Sequence, residues 1–157
     1  MLVLPEVEYW NSIQNVTKFN CYNYATDDDA IRFKQPGNSY DHDSCITTSK
    51  GEYHKTKFRY AALQDGLRPV PKNGVVPEGW HLVYYCFSTG WDSDYHWYKK
   101  DMVTGIWSHK RGNREATFNE RYSSCHILNP IEDAKEYGYT KFGGYLIAKT
   151  YKITEDQ

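Results

Sequence analysis

Residues 80–110 read WHLVYYCFSTGWDSDYHWYKKDMVTGIWSHK. Three runs rich in aromatic and β-branched side chains, Trp80 to Phe87, Tyr95 to Lys100 and Ile106 to Lys110, are separated by the polar turns Ser88 to Asp94 and Asp101 to Gly105. Such side chains fit a pleated, half-buried surface, and short turns between the runs favour antiparallel neighbours, so the stretch predicts a three-strand meander. Gly143 to Ile153, where Tyr145, Ile147, Lys149 and Tyr151 alternate with Leu146, Ala148 and Thr150, predicts a closing strand. Upstream the pattern is helical. Glu6 to Val16 fits a short helix, Asn20 to Ala25 opens a second that stops before Pro36-Gly37, and Lys57 to Leu67 sets Phe58, Ala61 and Ala62 on one face with Gly66 near its end. Gln35 to Gly51, polar and full of turn formers, reads as a long surface loop, while Arg111 to Pro130 carries no decisive pattern. Helices followed by strands indicate an α+β fold, with N-terminal helices packed on an antiparallel sheet.

No repeat, low-complexity tract or Gly/Ser-rich linker divides the 157 residues, so residues 1–157 are expected to form one domain. A formal charge of −1 removes the electrostatic case for a nucleic-acid binder or an anionic-membrane clamp. With 15 Tyr and 5 Trp, the interior must be built largely from rings, whose polar tips need hydrogen-bond partners. Leu82 to Phe87 is the longest apolar stretch, far short of the roughly 20 residues a spanning helix needs, so no membrane segment is expected. Pro5 and Glu6 interrupt the apolar start before any secretory signal develops, which points to a cytoplasmic chain or one exported without a visible signal peptide. Cys21, Cys45, Cys86 and Cys125 show no CxxC spacing and are expected to be reduced.

One constellation has the makings of nucleophilic chemistry. A helix start stabilises a thiolate through its dipole and free amides, and Cys21 is the cysteine so placed. A base is also needed. His96 opens one predicted strand and His109 lies near the end of the next; antiparallel pairing would set the imidazoles side by side, one taking the thiol proton and the other fixing its orientation. If the rings face opposite ways, Asp92, Asp94 or Asn119 becomes the orienter to look for. The Cys21 amide supplies one oxyanion donor, with Asn20 or a Tyr side chain such as that of Tyr22 as the second. Trp91, Tyr95 and Trp97 are candidate substrate contacts, although the aromatic set that includes Tyr98 and Trp107 also reads as sheet core and rim.

The order of a cysteine at a helix start, a histidine opening a strand and a second histidine on the next strand resembles the NlpC-type peptidases, a compact branch of the papain-like fold. The layout covers Asn20 to Lys110, with residue matches at Cys21, His96 and His109. The resemblance implies a papain-like fold and a cysteine-dependent hydrolase or acyltransferase acting on a peptide or other amide or acyl bond, without a cofactor. In that family an aspartate precedes and a serine follows the cysteine, where this chain has Asn20 and Tyr22; the implication therefore reaches the triad and not the substrate pocket. The blocks FNCYNYA, FKQPG, DYHWY and WSHK also resemble an uncharacterised group of bacterial and phage proteins. The alternative from another class is a non-catalytic interaction module that keeps the papain-like layout.

Asp41, His42, Asp43 and Cys45, with Cys125 and His126, have metal-ligand chemistry but no recognised metal spacing, so no metal is expected. Asp27 to Asp29 reads as a solvated helix face, and Lys99, Lys100, Lys110, Arg111 and Arg114 as a local basic patch able to meet an acidic substrate.

Overall fold

The sheet is built on the two strands that the sequence marks most strongly, β1 (Trp80–Phe87) and β2 (Tyr95–Lys100), paired antiparallel from Val83 opposite Lys99 to Phe87 opposite Tyr95. The computed structural model describes residues 5–37, 54–89 and 94–151. On either side of this pair lie β3 (Trp107–Lys110) with β4 (Ala116–Thr117), and β5 (Lys141–Lys149), giving an antiparallel sheet of order β4-β3-β2-β1-β5. The helices are α1 (Pro5–Asn11), α2 (Cys21–Ala25), α3 (Lys55–Gln64) and α4 (Pro130–Glu136). The fold class is α+β, and none of these helices is long and apolar enough to cross a membrane.

Strand alternation divides the interior in two. Val83, Tyr85, Phe87, Tyr95 and Trp97 face α2 and α3, where they meet Cys21, Tyr22, Phe58 and Ala62. Phe58 stacks on Trp97 with ring centroids 5.7 Å apart, and Tyr85 lies 4.9 Å from the same indole. On the opposite face Tyr84, Cys86, Tyr98 and Trp107 pack with Ile127 and with Ala134 of α4. The ring tips are partnered as burial demands: Tyr22 donates to Asp65, Tyr24 to Ser108 and Tyr98 to Asp133, all at 2.6–2.7 Å.

Several sequence expectations are corrected. The helix begun at Asn20 is short, because Thr26 closes it and Asp27 adopts a left-handed backbone at φ 52°. Asp27 is not on a solvated face: it is buried, accepting from Lys99 at 2.8 Å and from the Tyr151 backbone N–H at 3.2 Å. Lys99 and Lys110 are buried too, so two of the five members of the predicted basic patch are not at the surface, whereas Lys100 and Arg111 are partly exposed and Arg114 is exposed. The first helix ends at Asn11, α3 runs from Lys55 to Gln64, and β5 spans Lys141–Lys149 where Gly143 to Ile153 is predicted. α4 and β4 fall in stretches that the sequence reading leaves unassigned.

β5 carries a bulge where its register against β1 shifts between Tyr85 and Cys86. Gly143 occupies it, and a Cβ there would stand 2.3 Å from the Tyr85 carbonyl oxygen and 2.5 Å from its ring. Gly143→Ala is therefore expected to destabilise the fold by about 1–3 kcal/mol, read as a lower urea midpoint at unchanged m-value. Gly74→Ala, in an open turn at φ 73°, meets no neighbouring atom and is expected to cost about 1 kcal/mol through backbone strain alone.

Candidate active site

Cys21 is the first residue of α2, and Asn20 is its cap. The Asn20 carboxamide oxygen accepts from the Tyr22 and Asn23 backbone amides while the Asn23 side chain accepts from the Asn20 N–H, a reciprocal arrangement that fixes the helix start. The preceding turn is anchored by Lys110 of β3, whose buried ammonium donates to the carbonyls of Val16, Phe19 and Gly112 at 2.5–2.7 Å. Three donors meet three acceptors. Burial pushes this ammonium down to about 8, so it remains mostly charged at neutral pH.

β3 stops at Lys110, and its last pair with β2 is Tyr98 opposite His109. Tyr95 to Trp97 thus have no β3 partner, and α2 brings Cys21 to this open strand edge, where the Trp97 backbone N–H reaches the sulfur. A cleft of about 300 Å³ opens here, lined by Cys21, His96, Gln35, Asp94, Tyr95 and Tyr139 among others. By alternation the His96 ring belongs to the α4 face and Cys21 to the other, so the cleft joins them around the strand edge. Among the described residues no hydrogen bond links the thiol to the ring; what they share is the cleft wall.

The two histidines meet as their spacing predicts. His96 Nε2 and His109 Nδ1 are 2.7 Å apart, on the same face of the antiparallel strands β2 and β3. Tyr139 lies flat on the His96 ring at 4.9 Å, its hydroxyl donating to Asp94 at 3.1 Å, and Tyr98 lies flat on His109 at 4.4 Å. Asp94 therefore steadies Tyr139, a neighbour of the His96 ring, through its hydroxyl. His96 Nε2 is spent on His109, which leaves Nδ1 as the nitrogen able to take a proton from the cleft. Burial holds both imidazoles well below their usual range, His109 down to about 3, with the Arg111 guanidinium adding repulsion.

Cys21 departs from the sequence expectation in its charge state. It is 6% exposed, and burial pushes its thiol up to about 12 against the lowering effect of the Trp97, Tyr22 and Cys21 amides. A helix of five residues supplies too little dipole to offset that desolvation. The resting pair is a neutral thiol beside neutral imidazoles.

Other predicted residues are placed differently. The Asn20 amide nitrogen is committed to the Lys34 carbonyl at 2.8 Å, and Tyr22 is fully buried with its hydroxyl on Asp65, so neither side chain is a second oxyanion donor. Trp97 is fully buried core and makes no substrate contact, whereas Tyr95 lines the cleft with its hydroxyl on Gln35. Trp91, Asp92, Asp41, His42, Asp43 and Cys45 lie outside the described residues. Cys21, Cys86 and Cys125 are free thiols. Gln35, Tyr139 and Lys110 are the supporting residues that sequence reasoning missed, and only the Gln35-Pro36-Gly37 turn gave a local sign.

Over 142 residues the chain is 32% identical to Insoluble matrix shell protein 1 of Ruditapes philippinarum, an overlap of 88% of this chain and 85% of that one. The chain belongs to the family of that shell protein. No family model matches it, and neither does any solved structure.

Proposed function

We propose that this family member is a cysteine-dependent hydrolase or acyltransferase of papain-like, NlpC-type layout, acting on a peptide or other amide or acyl bond. The observation that carries the reading is the 2.7 Å His96–His109 pair at the wall of the cleft onto which Cys21 opens. Cys21 Sγ attacks the acyl carbon as its proton passes to His96 Nδ1. The carbon–nitrogen or carbon–oxygen bond then breaks, and the leaving group takes that proton, leaving a thioester on Cys21. Water or a second nucleophile releases the acyl group, with His96 taking and returning a proton again. Because the resting thiol is neutral, the base works during attack and no preformed thiolate is required. The Cys21 and Trp97 amides supply donors to the developing oxyanion, while Gln35, whose amide nitrogen donates to the Phe33 carbonyl at 3.4 Å and whose oxygen accepts from Tyr95, braces the cleft wall.

A second reading is favoured by the name of the relative: a non-catalytic matrix component that retains the layout. Intact-mass analysis after exposure to p-nitrophenyl acetate separates the two. The enzyme reading expects an acetyl adduct on Cys21 that decays with time and is absent from Cys21→Ala. An adduct confined to the exposed Cys125 would leave the matrix reading standing.

A further inference from the structure

His109 Nε2 is buried and makes no hydrogen bond, yet it stands 3.7 Å from Asp133 Oδ2. Asp133 lies in the first turn of α4 and is itself 5% exposed. Its Oδ2 accepts from the Tyr98 hydroxyl at 2.7 Å and its Oδ1 from the Arg121 backbone N–H at 3.3 Å. Two donors converging on one side chain mark it as an acceptor, which is the role of an ionised carboxylate. Two guanidinium groups, Arg111 and Arg121, lie 4.3 and 4.7 Å over the Tyr137 ring, which itself meets His109 edge-on.

The single proton shared between His96 Nε2 and His109 Nδ1 has two placements. With the proton on His109 Nδ1, that ring turns a bare lone pair toward the Asp133 carboxylate, and His96 must carry its own proton on Nδ1, where it cannot act as a base. With the proton on His96 Nε2, His109 accepts at Nδ1 and holds its proton on Nε2, facing the carboxylate, while His96 Nδ1 is bare. Charge and dipole favour the second arrangement, because the N–H is attracted to the carboxylate and the lone pair is repelled by it.

We propose that Asp133 is a positioning residue of this site: through His109 it sets the tautomer of both rings and leaves His96 Nδ1 unprotonated toward the cleft. The proposal rests on the reading of Cys21 and His96 as nucleophile and base, but its primary test is independent of activity. In protein carrying ¹⁵N-labelled histidine, long-range ¹H–¹⁵N correlation spectra assign the protonated nitrogen of each ring. The wild type is expected to show Nε2–H on both His96 and His109. In Asp133→Asn, which has an amide donor in place of one carboxylate oxygen, Nδ1–H forms are expected to appear on both rings, with acetylation of Cys21 slower on the order of tenfold or more, as befits loss of a group that fixes the base's tautomer. Asp133→Glu, which keeps the charge, is expected to keep the wild-type tautomers. His96 carrying its proton on Nδ1 in the wild type would overturn the proposal, as would a folded Asp133→Asn protein with unchanged tautomers. Should that variant not fold, Asp133→Ser is read against the same two outcomes. If the tautomers are as expected and Cys21 never acylates, the enzyme reading fails and the positioning role of Asp133 stands.

Discussion

Replacing His96 with Asn is expected to slow acetylation of Cys21 on the order of 10⁴-fold, equivalent to about 5.5 kcal/mol of barrier, and to leave a folded protein. The size of the effect follows from the resting charge state. A thiol held near 12 presents almost no thiolate at neutral pH, so the reaction depends on a base that removes the proton as the carbon–sulfur bond forms. His96 is the imidazole lining the cleft with Cys21, and its other nitrogen is already held by His109. Asn fits the space and can still donate to His109 Nδ1, so the variant removes the base more than it removes the packing. Cys21→Ala is expected to abolish the adduct outright at a stability cost of about 0.5–1.5 kcal/mol, the price of one buried heavy atom. Cys86→Ser provides the opposite control. That side chain is fully buried on the α4 face, and its replacement is expected to cost about 1–3 kcal/mol while acetylation of Cys21 proceeds. Stopped-flow release of p-nitrophenol with thermal melts reads all three variants. An His96→Asn rate within tenfold of wild type would sink the assignment of His96 as base.

How far these residues could be read in advance depended on whether their cause was local. β1 and β2 end at the predicted residues because alternation, aromatic content and flanking turn formers all lie within the strands themselves. The histidine pair was legible for the same reason, since a tight connection between antiparallel strands converts sequence spacing into a cross-strand neighbour. Lys99 and Asp27 look like ordinary surface charges by every local measure. Only a partner 72 positions away lets both be buried, and no window of sequence displays that pairing. Lys110 is the same case, with two of its acceptors in the turn ahead of Cys21. α4 is different, because its start was written plainly: Asn129 as cap, Pro130 in the first turn, then Glu132 and Asp133 where a helix start favours acids. What hid it was its short length, with too few turns for a 3.6-residue period to stand out. Missing α4 meant missing Asp133, so the site was read as three residues where the fold assembles a longer chain of contacts.

Acidification is expected to unfold this protein through the same two rings. An unfolded histidine titrates near 6.5, whereas burial and the Arg111 guanidinium hold His109 down to about 3 and His96 well below its usual range. Below about pH 6.5 the unfolded chain therefore binds protons that the folded rings refuse. Since stability rises with pH wherever the unfolded state holds more protons, it must fall as pH drops through this window, by about 1.4 kcal/mol per unit for each ring. For His109 the loss continues until the pH reaches its folded value of about 3. Between about pH 7.5 and about pH 5 it removes roughly 2 kcal/mol, and His96 adds to that. Asp133 acts in the opposite sense: burial raises its carboxyl, the folded protein takes that proton first, and the histidine loss is partly offset as the carboxylate range is approached. Urea midpoints across the range read the slope directly. His109→Asn removes one of the two refusing rings and is expected to flatten the slope, even if it lowers stability at neutral pH by breaking the 2.7 Å pair. A wild-type midpoint that does not move between about pH 7.5 and about pH 5, or a His109→Asn protein that loses stability as steeply as the wild type, would show that the imidazoles are not held neutral. The neutral thiol–imidazole site described for Cys21 would then lose its physical basis.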